Sequence, residues 1–481
     1  MSGVRAFFLF VMLGLAACAG KAPVVAVGEA ERACLALYRE LDEKIDRAGV
    51  RDAGEARLAG LPYLRVNRFL ASFAGQPLTP AGRAAWLARL AALDRKARGF
   101  ELANLPGGEK WRAALADCRA QFHPSFAAVR RRARVPDAYS WSKRLFGLYA
   151  LTAVPVSVGF ARWKAKTLRS FRQPMAALKV EGALVDYAPA GAVLEVAEVV
   201  RLVEQSRDPL LGIPEPSPDD LARLFASFAP IWRIDTQSND ERPGAPRWLG
   251  GKIVIDPAAP VVYTLVSYAR VGGRVALQLN YTIWFPARTR TSRLDMLAGS
   301  LDGILWRVTL GADGAPLLYD AIHQCGCYHL FFPGPRLTLR AQATGRGGWD
   351  GAPTPQPAPV LAPGERVVIR LAPASHYILK LGRERSGPAA RPYRLADYDG
   401  LRSLPAAGGR RSLFGPDGVI AQSRRAERHY LWPMGIKSAG AMRQWGTHAT
   451  AFVGRRHFDD PDLIEKTFYV REVDGQREAA R

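Results

Sequence analysis

The sequence predicts an α+β fold, an N-terminal helical bundle followed by a mostly antiparallel β-sheet domain. Three observations carry this reading. From Gly28 to about Val135 apolar residues recur at spacings of three and four, the period of a helix with one buried face. From about Leu178 the period shortens to two, the alternation of a strand. After Trp248 such runs come in pairs around turn residues, the pattern of hairpins rather than of helix-linked parallel strands.

The elements follow in order. Cys34, Leu37, Tyr38, Leu41 and Ile45 share one helical face, and Tyr63, Val66, Phe69, Leu70 and Phe73 repeat the spacing. Thr79-Pro80 is an N-cap with proline at the first helical position, opening a helix with Trp86, Leu90, Leu93 and Ala97. A fourth helix carries Trp111, Leu115, Cys118 and Phe122 and ends before Pro124. The apolar stretch 145–161 is too short to cross a bilayer, which takes about 20 residues, and Pro155 interrupts it. It reads as a buried or interfacial connector, with an amphipathic membrane contact open to it because Arg162, Lys164, Lys166 and Arg169 follow.

Leu178–Val185 reads as a strand, and 192–204 and 218–228 as helices, the second capped by Ser217 with Asp219 and Asp220 at its positive end. Runs 261–271 and 274–285 flank Gly272-Gly273, a two-residue hairpin signal, and 303–310 and 316–323 flank a second turn. Residues 345–363, rich in Gly and Pro, form a loop, while 366–371, 377–381, 449–453 and 467–473 read as strands. The division is 1–17 export signal, 18–27 tether, 28–140 helical domain, 141–175 connector and 176–481 β-rich domain with inserted helices. No repeat, phosphate-binding glycine loop, HExxH or GxSxG is present, so nucleotide binding and the common hydrolase elbows have no support.

The first residues carry compartment information. One cation, Arg5, precedes the apolar run Ala6–Leu15, the layout of a signal peptide. Leu15-Ala16-Ala17-Cys18 then resembles the lipobox of bacterial lipoproteins. The resemblance covers only the first 20 residues, and the mature domains resemble no family. It implies cleavage before Cys18, a lipid thioether on its thiol, and acylation (palmitate, for example) of the freed amine. Two or more acyl chains give stable anchoring where one is marginal. Ala19 and Gly20 imply the outer membrane, facing the periplasm, under the familiar sorting rule.

A net charge of +23 on 481 residues points to an anionic neighbour. In an envelope the candidates are lipopolysaccharide phosphates, anionic lipids and peptidoglycan carboxylates; nucleic acid is not expected as a partner. Arg130-Arg131-Arg132 is the tightest cationic run, and a solvated helix face is its bland reading. With Cys18 assigned to lipid, four cysteines form an even set in an oxidising compartment, and Cys34 is expected to pair with Cys118.

One segment concentrates chemistry: His323-Gln324-Cys325-Gly326-Cys327-Tyr328-His329. Imidazole and thiolate are ligands for zinc, copper or iron. A straight strand would put all four on one face yet spread His323 and His329 about 20 Å apart, too far for one ion. A turn at Gly326 would gather the thiols, with His448 or His457 completing the sphere. A small Cys325–Cys327 disulfide comes next among the readings, and plain packing after it. Asp235, Asp240 and Glu241 offer a general base or oxygen ligands, against the alternative of a solvated loop. The glycine- and aromatic-rich stretches 431–435 and 439–446 suit either pocket walls or core corners. His123, His376 and His429 stand isolated. Three functions are therefore carried forward: a membrane-anchored binding or assembly protein with a basic surface, an envelope metal- or thiol-dependent enzyme centred on 323–329, and a structural scaffold with a cystine-braced sheet.

Overall fold

The chain turns back on itself as a series of strands that collect into one large sheet. The computed structural model describes residues 28–344 and 350–471; the leader, Cys18 and the tether lie outside the described residues. Strands β1 (Ala56–Leu58) and β2 (Leu61–Val66) form a hairpin, and β3 (Ala183–Pro189) and β4 (Ile231–Thr236) follow. β5 (Ala245–Leu249) and β6 (Lys252–Asp256) make a separate pair. The run β7 (Val261–Val271), β8 (Arg274–Arg288), β9 (Gly299–Leu310), β10 (Pro316–His323) and β11 (Leu330–Pro333) is an antiparallel meander. After β12 (Leu337–Leu339) come β13 (Arg366–Leu371), β14 (Ile378–Glu384) and β15 (Arg391–Asp397).

Ten of these share a sheet in the order β11-β10-β9-β8-β7-β15-β3-β4-β13-β14. The sheet is mixed rather than simply antiparallel. β15 returns to fill the gap between β7 and β3 and runs parallel to both, and β13 lies parallel to β4. The two Gly272-Gly273 residues turn the β7–β8 hairpin with φ of 57° and 74°, the left-handed pair this tight connection needs. β8 and β9 are buried at almost every position, because helices and loops cover both faces of the sheet centre. The main core lies between that centre and helices Tyr149–Arg172, Val196–Gln205 and Pro218–Phe228, with Trp232, Tyr281, Trp306 and Phe332 at its middle.

The N-terminal part is helical but is not the four-helix bundle expected. Helices Glu29–Ala48, Pro80–Asn104 and Arg112–Arg119 surround the β1–β2 hairpin, and the Cys34–Cys118 disulfide ties the first to the third. Tyr63 and Val66 are buried as expected, but from a strand. Gly60 (φ 73°) makes the tight turn between the strands, and a new short helix starts only at Asn67, whose side chain caps it. Segment 449–453, expected as a strand, makes one bridge, Ala449 to His457, and is otherwise loop. No helix among the described residues is long and apolar enough to cross a membrane.

Candidate functional site

The segment 323–329 comprises the last residue of β10 and the loop to β11, and a turn forms at Gly326 (φ 87°). Gly326 N–H donates to the His323 carbonyl (2.7 Å), and His323 N–H donates to that of Cys327 (3.0 Å). A Cβ at Gly326 would collide with the Ala449 carbonyl oxygen, so glycine is required there for contact as well as conformation. Arg443 fixes the loop from outside, its backbone N–H donating to Gln324 and its side chain to the Cys325 carbonyl.

The turn gathers the thiols but not the imidazoles. Cys325 and Cys327 are free and buried, packed in a core with Trp284, Leu301 and Met442. Cys327 N–H donates to the Cys325 sulfur (3.4 Å). The neighbouring Cys325 and burial push the Cys327 thiol well up, keeping it protonated and a poor metal ligand or nucleophile. Among the described residues no three His, Cys, Asp or Glu side chains converge in metal-binding geometry. The zinc- or copper-site arrangement expected of His323, Cys325, Cys327, His329, His448 and His457 is therefore not the one formed, nor is a Cys325–Cys327 disulfide. Plain packing describes the thiols.

Each histidine instead finds its own partner. His323 and His329 fall on opposite faces of the sheet, because the turn reverses the alternation that a straight strand would have kept. His329 Nε2 lies 2.9 Å from Asp320 Oδ2, and Arg307 clamps the same carboxylate through two bonds of 2.9 and 2.6 Å. Burial outweighs Asp320 and holds His329 down to about 4. His448 lies 3.4 Å from Gln324 Oε1 and is held near 3 by burial and Arg443. His457 Nε2 is engaged by Asp137 and by the Ala138 N–H.

His323 belongs to a buried polar cluster centred on Asp302. Asp302 on β9 lies 3.6 Å from His323 Nδ1, 2.9 Å from His376 Nδ1 and 3.3 Å from the Arg425 guanidinium. Burial alone would raise the Asp302 carboxyl, but Arg425 and the two imidazoles hold it well below its ordinary range. Arg288 donates to Tyr377 and faces Tyr328. Leu301, Tyr328, Ala374 and His376 around this cluster all have positive φ, between 53° and 61°, a conformation costing roughly 1–3 kcal/mol per residue. Trp163 and Thr167 of helix Tyr149–Arg172 close it over, leaving a void of about 10 Å³, room for a single water. Asp302, His323, His376 and Arg425 are thus a buried polar core.

The carboxylates of the 233–242 stretch are structural as well, and Asp235 and Glu241 are not on a solvated loop. Asp235 accepts from Glu181 and Gly182 N–H and pairs with Arg370 at 3.1 Å, the Asp235 and Arg370 side chains both buried. Glu241 accepts from Ser238 and Ala374, and Asp240 from Thr289. The 431–446 stretch is mostly core: Met434, Ala441 and Met442 are fully buried, and Trp445 packs on Phe458.

Open concave surface lies elsewhere. A groove of about 680 Å³ opens where helix Phe126–Arg132 meets the start of helix Pro80–Asn104. Arg83, Arg130, Arg131 and Arg134 line it around an apolar floor of Ala71, Ala74, Phe126 and Ala133, and none of the four has a carboxylate within 4.0 Å among the described residues. Ser125 caps the helix, and the unbalanced guanidiniums follow at its C-terminal end, where the helix dipole favours them. A broader groove of about 1140 Å³ beside Trp248 holds Arg410 and Arg411, but Ser403 and the Trp248 ring engage these. The sequence had singled out Arg130 and Arg131; Arg83 and Arg134 join them only through folding. Asp302, His376 and Arg425 carried no local signal.

The fold is thus an α+β protein with a buried polar core and an open cationic groove. No family model, curated protein or solved structure matches the chain.

Proposed function

We propose that the chain is a lipid-anchored bacterial envelope protein, held at the outer membrane through Cys18, whose arginine groove binds an anionic envelope component in a non-enzymatic binding or assembly role. The observation that supports it is the groove itself: four guanidiniums with no neighbouring carboxylate around about 680 Å³ of open space. Guanidinium forks match phosphate and carboxylate groups bidentately, which suits lipopolysaccharide phosphates first and peptidoglycan carboxylates second. The metal- or thiol-dependent reading finds less support, since the two thiols are buried, that of Cys327 is held protonated, and the imidazoles are dispersed.

Two measurements test the proposal. Lipopolysaccharide binding by the purified chain is expected to weaken at least tenfold in Arg130→Glu/Arg131→Glu/Arg134→Glu, and to fall with added salt in the parent more steeply than in the variant. Equal binding by both would remove the groove from the account. Separately, labelled palmitate is expected in the native chain and absent from Cys18→Ser; incorporation into neither would remove the anchor.

A further inference from the structure

Helix Tyr149–Arg172 divides its two faces cleanly. The inward face, Tyr149, Ala153, Val156, Trp163, Thr167 and Phe171, packs on Met434, Val453 and the sheet, and closes the Asp302 cluster. The opposite stripe faces water and changes character along its length. Leu151 (70% exposed), Val154 (61%) and Val158 (47%) are apolar, and Arg162, Lys166 and Arg169 continue the same stripe as cations. The apolar end is widened by its neighbours. Trp141 (67%), Phe146 (78%) and Leu148 (63%) precede the helix, and Tyr430 (66%) stands beside it on the segment that contacts its first turns.

We infer that this face docks on an anionic lipid bilayer, with the apolar end of the helix in the headgroup–acyl boundary and the cations among the headgroups. Exposed apolar side chains clustered like this are unusual on a soluble surface and mark a partner. Charge chooses which. Residues 138–180 contain eight Lys or Arg and no Asp or Glu. Arg162, Lys166, Arg169 and Arg172 have no carboxylate partner among the described residues. A second copy of this surface would set those cations against each other; an anionic membrane neutralises them. Trp and Tyr at the margin are the side chains that settle at headgroup level. The helix lies on the membrane and does not span it. This assignment rests on residues separate from the arginine groove and holds whether or not Cys18 carries lipid.

The test uses the full chain carrying Cys18→Ser, with a nitroxide placed on Leu151→Cys or, as a control, on Leu294→Cys, an exposed residue of another loop (89%). On adding vesicles of phosphatidylethanolamine with a quarter phosphatidylglycerol, the label at 151 is expected to gain collisions with oxygen and lose collisions with a water-soluble nickel complex, each at least twofold. The label at 294 is expected to change in neither. Because the probe reports position, binding through the apolar leader alone would leave 151 in water and overturn the inference. Spin–spin broadening at 151 without vesicles would identify a second copy as the occupant and overturn it too. Equal immersion on purely zwitterionic vesicles would overturn the anionic part, as would full immersion in Arg162→Glu/Lys166→Glu/Arg169→Glu.

Discussion

His448 and His329 are buried as neutral imidazoles, and that makes the fold acid-sensitive in a calculable direction. His448 is held near 3 by burial and Arg443, and His329 near 4 by burial. In the unfolded chain both take up a proton at about 6.5. Between those limits the unfolded state binds more protons, so the stabilisation is complete above pH 6.5 and declines as pH falls towards 4 and below. Each histidine withdraws about 1.4 kcal/mol per pH unit across its window. Glu427 acts against this, because burial pushes its carboxyl up to about 7 and folding then favours its protonated form below that pH. The discriminating measurement is therefore a comparison: the urea midpoint of His448→Gln should fall less between pH 7 and pH 4.5 than that of the parent. Parallel curves would mean that His448 is not held neutral. At this scale the sequence disclosed residue types but not partners. His376 looked isolated because Asp302 lies 74 positions away along the chain. A hydrogen bond at that separation leaves no periodic trace. The odd-numbered quartet at 323–329 was legible as a cluster, but one turn at Gly326 sent its two imidazoles to different carboxylates.

Among elements, the helix Glu29–Ala48 is the one most dependent on a crosslink. Its Cys34 is joined to Cys118 across a separation of 84 residues. In the chain-entropy picture a loop of that length lowers the freedom of the unfolded chain by about 4–5 kcal/mol. Reductant is expected to lower the urea midpoint of the parent and leave that of Cys34→Ser/Cys118→Ser unchanged, followed by circular dichroism. No effect of reductant on the parent would show that the two thiols are not paired. Elements whose ends are written in local chemistry were legible. Thr79-Pro80 opens a helix with Thr79 accepting from Gly82 N–H (3.0 Å), and Ser217-Pro218 does the same for the helix it caps. Elements decided at a distance were not. β2 has residues at helical spacing but is a strand, because Gly60 reverses the chain and Arg65 is drawn inward by Glu101 (2.7 Å) and Asp94 (3.3 Å). β15 passed unnoticed since its place between β7 and β3 is set by the gap it fills, not by its own pattern.

The whole molecule is held together by polar contacts between the N-terminal part and segments more than 300 residues later. Arg402 is their centre: it binds Asp52 through two bonds of 2.8 Å, Glu55 at 2.7 Å and Asp399 at 2.9 Å, all nearly excluded from solvent. Its guanidinium stacks on Phe100, its carbonyl accepts from Asn104, and Gln444 donates to the same Asp52. Arg68 and Asp459 make a second tie at 3.1 Å. The pair is not valuable for its attraction alone, since desolvation offsets most of that; its weight lies in what removal leaves behind. Arg402→Met would strand Asp52 and Glu55 in low dielectric, while Asp399 keeps Lys96 as a partner; the cost is about 3–5 kcal/mol, and the loss falls on the junction rather than on either core. The parent is accordingly expected to unfold in one calorimetric transition, and Arg402→Met in two, with the N-terminal part melting first. Adding Asp52→Asn and Glu55→Gln to that variant removes the stranded charges and should bring the transitions back together, although the lost guanidinium bonds are not restored. A single unchanged transition in Arg402→Met would mean that apolar contacts of Leu211, Ile213 and Val275 with the N-terminal core, not this arginine, couple the two parts.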